Sequence, residues 1–178
     1  MDSIFSPENI HWFLKLFIAQ CTIFILFLLD FVNFGTSFSY DIKPFFILIS
    51  IYFWSIYRPT LLLPIYVFAL GIIFDLVLNY PVGLHALLFV AIQWIFRSQR
   101  LYFIGQPYVI LWIGFTLTCF AVMTIEWALF SLLLHNIYSF KVVLFGTLTS
   151  ALSFPLITLL FNVIYRKLPA VKQAHFIQ

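Results

Sequence analysis

Residues 60–87 read TLLLPIYVFALGIIFDLVLNYPVGLHAL, a stretch that decides the fold because it joins two apolar segments through a proline–glycine turn. The two segments predict helices over residues 60–78 and 83–96. Between them, Tyr80-Pro81-Val82-Gly83 has proline at position i+1 and glycine at i+3, as a type I turn prefers. The stretch therefore predicts a tight antiparallel hairpin of two helices.

The composition of the chain indicates a membrane protein. Apolar residues make up 64% of its 178 residues and charged residues only 8%, whereas soluble domains are about 45–50% apolar and about 25% charged. A soluble globular protein is therefore excluded. Apolar runs such as residues 24–29 lack the alternation of an outer-membrane barrel strand. We predict an all-α, polytopic membrane protein.

The apolar segments predict six transmembrane helices within a single integral-membrane domain, residues 1–178. The helices cover residues 13–32, 45–57, 60–78, 83–96, 108–134 and 140–165, with a polar link at residues 97–106 and a flexible cytoplasmic tail at residues 166–178. The length of the first segment indicates a retained membrane anchor rather than a cleaved signal peptide. In the last helix, the missing N–H of Pro155 is expected to cause a kink.

The second of these helices, residues 45–57, is too short to cross a bilayer unaided. At 1.5 Å per residue it spans only about 20 Å, less than the hydrocarbon core of about 30 Å. Three alternatives stay open. The helix thins the bilayer, its flanking cations Lys43 and Arg58 snorkel to the headgroups, or neighbouring helices shield it from lipid.

The basic residues predict the orientation of the chain. They form no patch that could follow a phosphate backbone, so nucleic acid is not an expected partner. Six spans place both termini on one side of the membrane, and a cytoplasmic N-terminus puts seven basic residues inside and two outside. This bias predicts cytoplasmic termini. The inner set is Lys15, Arg58, Arg97, Arg100, Arg166, Lys167 and Lys172, and the outer set is Lys43 and Lys141.

Polar residues within the apolar segments are the main functional candidates, because a charge at the bilayer centre costs about 2.5–3.5 kcal/mol. Gly71, Asp75 and Asn79 stand at i, i+4 and i+8, so they form one helix stripe that we expect to face the bundle interior. There Gly71 would let another backbone approach, so we expect Gly71→Leu to be disruptive and Gly71→Ala to be nearly silent.

Two roles stay open for Asp75. Its carboxylate could accept hydrogen bonds from the N–H groups at the start of the fourth helix and so fix the hairpin. It could instead serve in a proton relay or bind a ligand, as acids inside membranes often do. The first role is the one that we favour.

Further candidates lie near the same outer end of the predicted bundle. For Glu126 we expect either an ion pair with Lys141 or a satisfied carboxylic acid. His85 and His135 are expected at the membrane interface rather than in ligand roles.

Two more motifs indicate either helix packing or the binding of a partner. On the last helix, Gly146 and Ser150 form a small-xxx-small pair, which favours packing within the bundle over an interface with a partner. At the inner end, Arg58-Pro59 closes a short helix and places a cation where anionic headgroups or an acidic segment of a partner could bind.

The sequence carries no signature of catalysis. It lacks H-E-x-x-H and G-x-S-x-G motifs, a P-loop and a dinucleotide fingerprint. Cys21 and Cys119 fall inside predicted helices, where we expect them to pack as small hydrophobic residues. We therefore expect no catalytic residue, no metal site and no cofactor.

Three segments together resemble a known family. Residues 52–59 (YFWSIYRP), 68–76 (FALGIIFDL) and 81–87 (PVGLHAL) contain a G-x-x-x-D stripe, here Gly71 and Asp75, followed by a P-x-G-x-x-A-L turn that ends with Ala86 and Leu87. In order, size and topology they resemble the bacterial rod shape-determining protein MreD family. The resemblance covers most of the chain.

This resemblance implies a non-enzymatic scaffold or regulatory subunit of the elongation complex in the bacterial inner membrane. The implied partners are an MreC-like bitopic protein, a RodA-like polymerase with its penicillin-binding transpeptidase, and indirectly the MreB filament. The family also resembles the S subunits of energy-coupling-factor transporters in its six-helix architecture, which gives a small-solute-binding subunit as the alternative. S subunits tend to carry a small-xxx-small pair on the first helix, and Ala19 is followed here by Ile23. That difference weakens the alternative.

Overall fold

A computed structural model describes the backbone of residues 7–32, 43–133 and 139–167. All regular structure within these ranges is helical, which confirms the expected all-α class. The helices are α1 (Pro7–Leu29), α2 (Phe46–Tyr57), α3 (Pro64–Val77), α4 (Leu84–Ser98), α5 (Arg100–Ile104), α6 (Tyr108–Leu133) and α7 (Lys141–Lys167).

Helix α5 corrects the expectation that residues 97–106 are a polar link. Gln99 both ends α4 and precedes α5, so the chain turns directly from one helix into the next. Phe103 packs its ring 5.5 Å from that of Phe96, while Leu101 stays exposed. Phe103 therefore packs this short helix against the end of α4, and α5 also packs against α2.

Helix α3 begins later than residue 60, where the sequence predicted its start. Pro64 occupies its first turn, where a proline is well suited because that N–H has no helical acceptor. The preceding segment stays irregular, and Leu61 and Leu62 are buried. Their carbonyl oxygens accept hydrogen bonds at 2.5 Å from the side-chain amides of Gln20 and Gln93, respectively. Two helices thus satisfy backbone groups that the irregular segment leaves unpaired.

Helix α2 lies at the centre of the bundle. Every residue from Ile47 to Ile56 is buried, so neighbouring helices shield this short helix from its surroundings. Of the three alternatives for its length, shielding is the one that the structure shows. On α2, Tyr52 packs its ring 4.5 Å from that of Phe96 and 5.6 Å from that of Phe115, and its hydroxyl donates to the carbonyl of Leu111.

Within the part of the chain that the structure describes, two helices are long and apolar enough to cross a membrane by length and composition. They are the segments Tyr108–Leu132 of α6 and Lys141–Arg166 of α7, at 25 and 26 residues. At 1.5 Å per residue each measures nearly 40 Å, beyond the hydrocarbon core of about 30 Å. The other apolar helical segments, from α1 to α4, have 10–17 residues.

Helix α7 runs through Pro155 as one helix. Because proline has no N–H, the carbonyl of Ala151 loses its donor within the helix. The indole N–H of Trp112 on α6 donates to this carbonyl at 2.8 Å. Pro155 therefore weakens α7 but leaves the carbonyl of Ala151 able to accept the hydrogen bond that joins α7 to α6.

Candidate functional site

Asp75 holds the junction between α3 and α4. It lies near the end of α3 and is fully buried. Its Oδ2 accepts the backbone N–H of Gly83 at 2.8 Å, and its Oδ1 accepts that of His85 at 3.2 Å. Gly83, the residue before α4, has no side chain with which to cap the helix, so Asp75 satisfies N–H groups that would otherwise be unpaired. These are the hydrogen bonds that the sequence predicted for the carboxylate.

Asn79 departs from the predicted stripe. Gly71 and Asp75 are buried, but Asn79 is exposed and its φ of 55° lies in the left-handed region. The N–H of Tyr80 donates to the carbonyl of Asp75 at 2.8 Å, the bond that ends a helix in a Schellman motif. This reversal of the chain turns Asn79 away from the interior. The expectation that all three residues face inward is therefore wrong for Asn79.

The turn that follows is shifted by one residue from the prediction. The N–H of Leu84 donates to the carbonyl of Pro81 at 3.1 Å, which places Gly83 at i+2. Its φ of +102° matches the positive φ that a type II turn requires at this position. The predicted type I turn would use the N–H of Gly83, and that group is already bonded to Asp75.

At Gly71 the backbones of α3 and α4 come into close contact. A Cβ built on it would lie under 3.0 Å from the N and Cα of Ala86 and from the carbonyl carbon of His85. Backbone atoms cannot yield as the end of a flexible side chain can. The approach expected at Gly71 is therefore present, but the expectation that Gly71→Ala is nearly silent is wrong.

His85 connects the hairpin to α6. Its Nδ1 lies 2.7 Å from Oδ1 of Asp75, and its Nε2 lies 3.0 Å from Oε1 of Glu126. His85 is fully buried within the bundle, between two carboxylates. Glu126 pairs with this histidine and not with Lys141, which lies exposed at the start of α7 without an ion pair to any residue that the structure describes. His135 lies outside the described residues.

Aromatic rings surround the His85 imidazole. The ring of Tyr80 stacks on it at 5.0 Å between centroids, and that of Phe74 lies at 4.7 Å. Phe45 and Phe89 pack at 6.1 and 5.6 Å. These apolar surfaces exclude water, so the two hydrogen bonds of the ring are stronger than they would be in solvent.

Asp30 makes an equivalent junction between α1 and α2. Its Oδ1 accepts the N–H of Phe46 at 2.9 Å and its Oδ2 that of Ile47 at 2.7 Å, while its own carbonyl accepts the Lys43 ammonium at 2.7 Å. The sequence analysis missed this residue. A signal was available, because an acid just after a helix is unfavourable for the helix dipole and indicates a contact elsewhere.

Ser150 completes the cap of α2. Its hydroxyl accepts the N–H of Phe45 at 3.0 Å and donates to the carbonyl of Gly146 at 2.7 Å. A Cβ on Gly146 would lie 2.9 Å from the sulfur of Met123 on α6. Both small residues of the predicted pair therefore make contacts within the bundle, which is the packing alternative that the sequence favoured.

At the opposite end of the bundle, Arg58 and Pro59 follow α2. The guanidinium of Arg58 lies 5.6 Å from the ring centroid of Tyr165 near the end of α7, and Pro59 is buried. The N–H of Leu61 donates to the carbonyl of Arg58 at 3.0 Å, which forms a turn. Arg58 thus brings the ends of α2 and α7 together.

We call the side chains of Asp30, Asp75, His85 and Glu126 the polar cluster. They join the end of α1, the start of α2, the end of α3 and the start of α4, and they also contact α6. No group of three or more His, Cys, Asp or Glu within the described ranges is arranged to hold a metal ion. The cluster can stabilise helix junctions and can hold a proton between His85 and Glu126.

Comparisons with known proteins agree with the segments singled out above. The family model described as "rod shape-determining protein MreD" matches residues 11–167, nearly the whole chain. A protein of Rickettsia prowazekii (strain Madrid E), described as uncharacterized, is 26% identical over 157 residues, which are 87% of this chain and 88% of the relative. No solved structure matches the chain.

Proposed function

The chain belongs to the family of the rod shape-determining protein MreD, and from that premise we propose that it is a non-enzymatic scaffold or regulatory subunit of the elongation complex. The family is a membrane component of the bacterial shape-determination system, alongside MreC. For this chain we propose binding to an MreC-like bitopic protein and, through the complex, support of peptidoglycan elongation by a RodA-like polymerase and its transpeptidase. Contact with the MreB filament is indirect in this proposal.

One observation carries the scaffold role. The acidic side chains that the structure describes are Asp30, Asp75 and Glu126, and each of them bonds to another helix or to its first residues. An enzyme or an ion-coupled transporter needs a carboxylate that is available to a substrate. Here the carboxylates hold the helices in place, which supports a structural role.

We also propose that the domain is a single six-span unit in the inner membrane with cytoplasmic termini. The polar cluster supports this arrangement, because it gathers the end of α1, the start of α2, the end of α3 and the start of α4 at one end of the bundle. Helix α5 is too short to count as a span. Lys43 and Lys141 belong to the cluster end, whereas Arg58 and Arg166 belong to the other end, as the excess of positive charge in the cytoplasm predicts.

The experiment is purification of the tagged chain from its own cells in a mild detergent, followed by identification of the proteins that accompany it. We expect MreC-like and RodA-like proteins. Recovery of an ATPase with its coupling subunit would contradict the proposal and favour a transporter subunit. Cells that lack the chain should also lose their rod shape and regain it when the gene is restored.

A further inference from the structure

The hydrogen bonds of Asp75 assign a proton to one ring nitrogen of His85. Its two oxygens accept the backbone N–H groups of Gly83 and His85. Both oxygens of Asp75 therefore act as hydrogen-bond acceptors, as those of a carboxylate do. Nδ1 of His85, 2.7 Å from Oδ1, therefore carries a hydrogen and donates it to Asp75.

This assignment leaves one proton for the contact between His85 and Glu126. Nε2 lies 3.0 Å from Oε1. Either a charged imidazolium donates its Nε2–H to a carboxylate, or a neutral imidazole accepts the O–H of a protonated Glu126. Both forms hold the same number of protons and make one hydrogen bond. When the proton leaves, the lone pair of Nε2 faces a carboxylate oxygen, and the contact becomes repulsive.

The surroundings of the ring contain more acid than base. Asp75 faces it from α3 and Glu126 from α6. Asp30 at the end of α1 accepts the N–H of Phe46, the neighbour of Phe45, whose ring packs against the imidazole. The other titratable or polar groups near these residues are Tyr80 in the turn, Lys43 before α2, Cys119 on α6 and Ser150 on α7. This excess of carboxylates favours retention of the shared proton.

Exposure shows which member of the pair reaches the surface of the bundle. The side chains of Asp75 and His85 are at most 1% exposed, whereas that of Glu126 is 18% exposed. Aromatic rings pack against the imidazole. The carboxyl of Glu126 is therefore the member of the pair that reaches the surface of the bundle.

The contact joins two parts of the bundle. His85 belongs to the α3–α4 hairpin, and Glu126 lies in the half of α6 that is nearer to the polar cluster, residues 120–132. The ring contact of Tyr80 with Phe130, at 4.9 Å, joins the same two parts. We propose that His85 and Glu126 form a proton-dependent bridge. With its proton the bridge fastens residues 120–132 of α6 to the hairpin, and loss of the proton to water releases them.

The test is amide hydrogen exchange of the full-length protein in lipid nanodiscs, measured by mass spectrometry from about pH 6 to about pH 10. Exchange in residues 120–132 is divided by exchange in residues 108–119 of the same helix, because this ratio cancels the intrinsic effect of pH. We expect the ratio to rise about tenfold across the range. A ratio that stays constant overturns the proposal.

The variant Glu126→Gln distinguishes the effect of this bridge on hydrogen exchange from the effects of other titrating groups. The glutamine amide donates to Nε2 without titrating, so the ratio should stay low at every pH. Lys141→Gln removes a nearby charge outside the bridge and should behave like the unmodified chain. If the exchange ratio rises as much in Glu126→Gln as in the unmodified chain, another group causes the effect and the proposal is overturned. If Glu126→Gln does not fold, the exchange ratio is compared only between the unmodified chain and Lys141→Gln. A rise with pH in both supports the proposal, and a constant ratio overturns it.

Discussion

Gly71 and Ala86 place the backbones of α3 and α4 in direct contact, because a Cβ at Gly71 would lie under 3.0 Å from two backbone atoms of Ala86. No rotamer change can relieve that overlap. The two helices must separate to admit even a methyl group, and the hydrogen bonds that Asp75 makes to the start of α4 would lengthen as they do.

We therefore expect Gly71→Ala to destabilise the protein by about 1–3 kcal/mol, the range typical of overpacking. The measurement is thermal unfolding in detergent, read by circular dichroism. Gly105→Ala is the matched control, because a Cβ at Gly105 meets nothing within 4 Å. Equal stability of the two variants would contradict the close approach of α3 and α4.

For Asp75 we expect a graded series. Asparagine keeps one accepting oxygen for His85, but its NH2 group faces the N–H of Gly83, so one hydrogen bond is lost. Leucine loses all of them and should cost about 1–3 kcal/mol or more. Thermal unfolding should rank the unmodified chain above Asp75→Asn and Asp75→Asn above Asp75→Leu.

Function provides the second measurement on Asp75. If the residue is structural, Asp75→Asn should retain rod shape and recovery of an MreC-like protein to the extent that it retains the fold. A folded, partner-bound Asp75→Asn chain without function would instead demonstrate a role that depends on charge.

Asp30 should contribute as much to stability as Asp75, although no motif in the sequence marks it. Asp30→Ala leaves the N–H groups of Phe46 and Ile47 unpaired inside the bundle, which should cost about 1–3 kcal/mol. Ser150→Ala removes one neutral hydrogen bond from the same helix start and should cost less. Chemical unfolding of the two variants gives the comparison, and a larger loss for Ser150→Ala would contradict this account.

Arg58 tests the opposite end of the bundle. Charge reversal in Arg58→Glu should lower membrane insertion or recovery of the complex, because the residue would no longer attract anionic headgroups or an acidic partner segment. Arg58→Lys should be tolerated, since it keeps the charge. Quantitative blotting of the membrane fraction and of the purified complex measures both. Equal failure of the two variants would indicate that the planar guanidinium itself is needed, as in bidentate recognition or in its contact with Tyr165.

The proposed orientation has a direct readout. A reporter that is active only in the periplasm, fused after Gln178, should remain silent, because seven of the nine basic residues then face the cytoplasm. A fusion of a cytoplasmic reporter at the same position serves as the control for expression. Strong periplasmic activity would contradict the six-span arrangement.

The hairpin could be predicted from the sequence because its contacts are local. Gly71 and Asp75 are one helical turn apart, and the proline–glycine turn places the start of α4 beside them. The bridge from His85 to Glu126 spans 41 positions. The sequence offered Lys141 as the basic partner of Glu126, and only the folded chain brings His85 to it instead. Asn79 was misplaced because a left-handed residue interrupts the helical period on which the stripe depended.

The pairing of Pro155 with Trp112 constrains the order in which evolution could replace these residues. If Trp112 is lost first, the carbonyl of Ala151 remains without its donor, and selection acts against the intermediate. If Pro155 is lost first, the new residue restores the donor within the helix, and Trp112 becomes dispensable. Lineages that lack both residues are therefore expected to have passed through the loss of the proline.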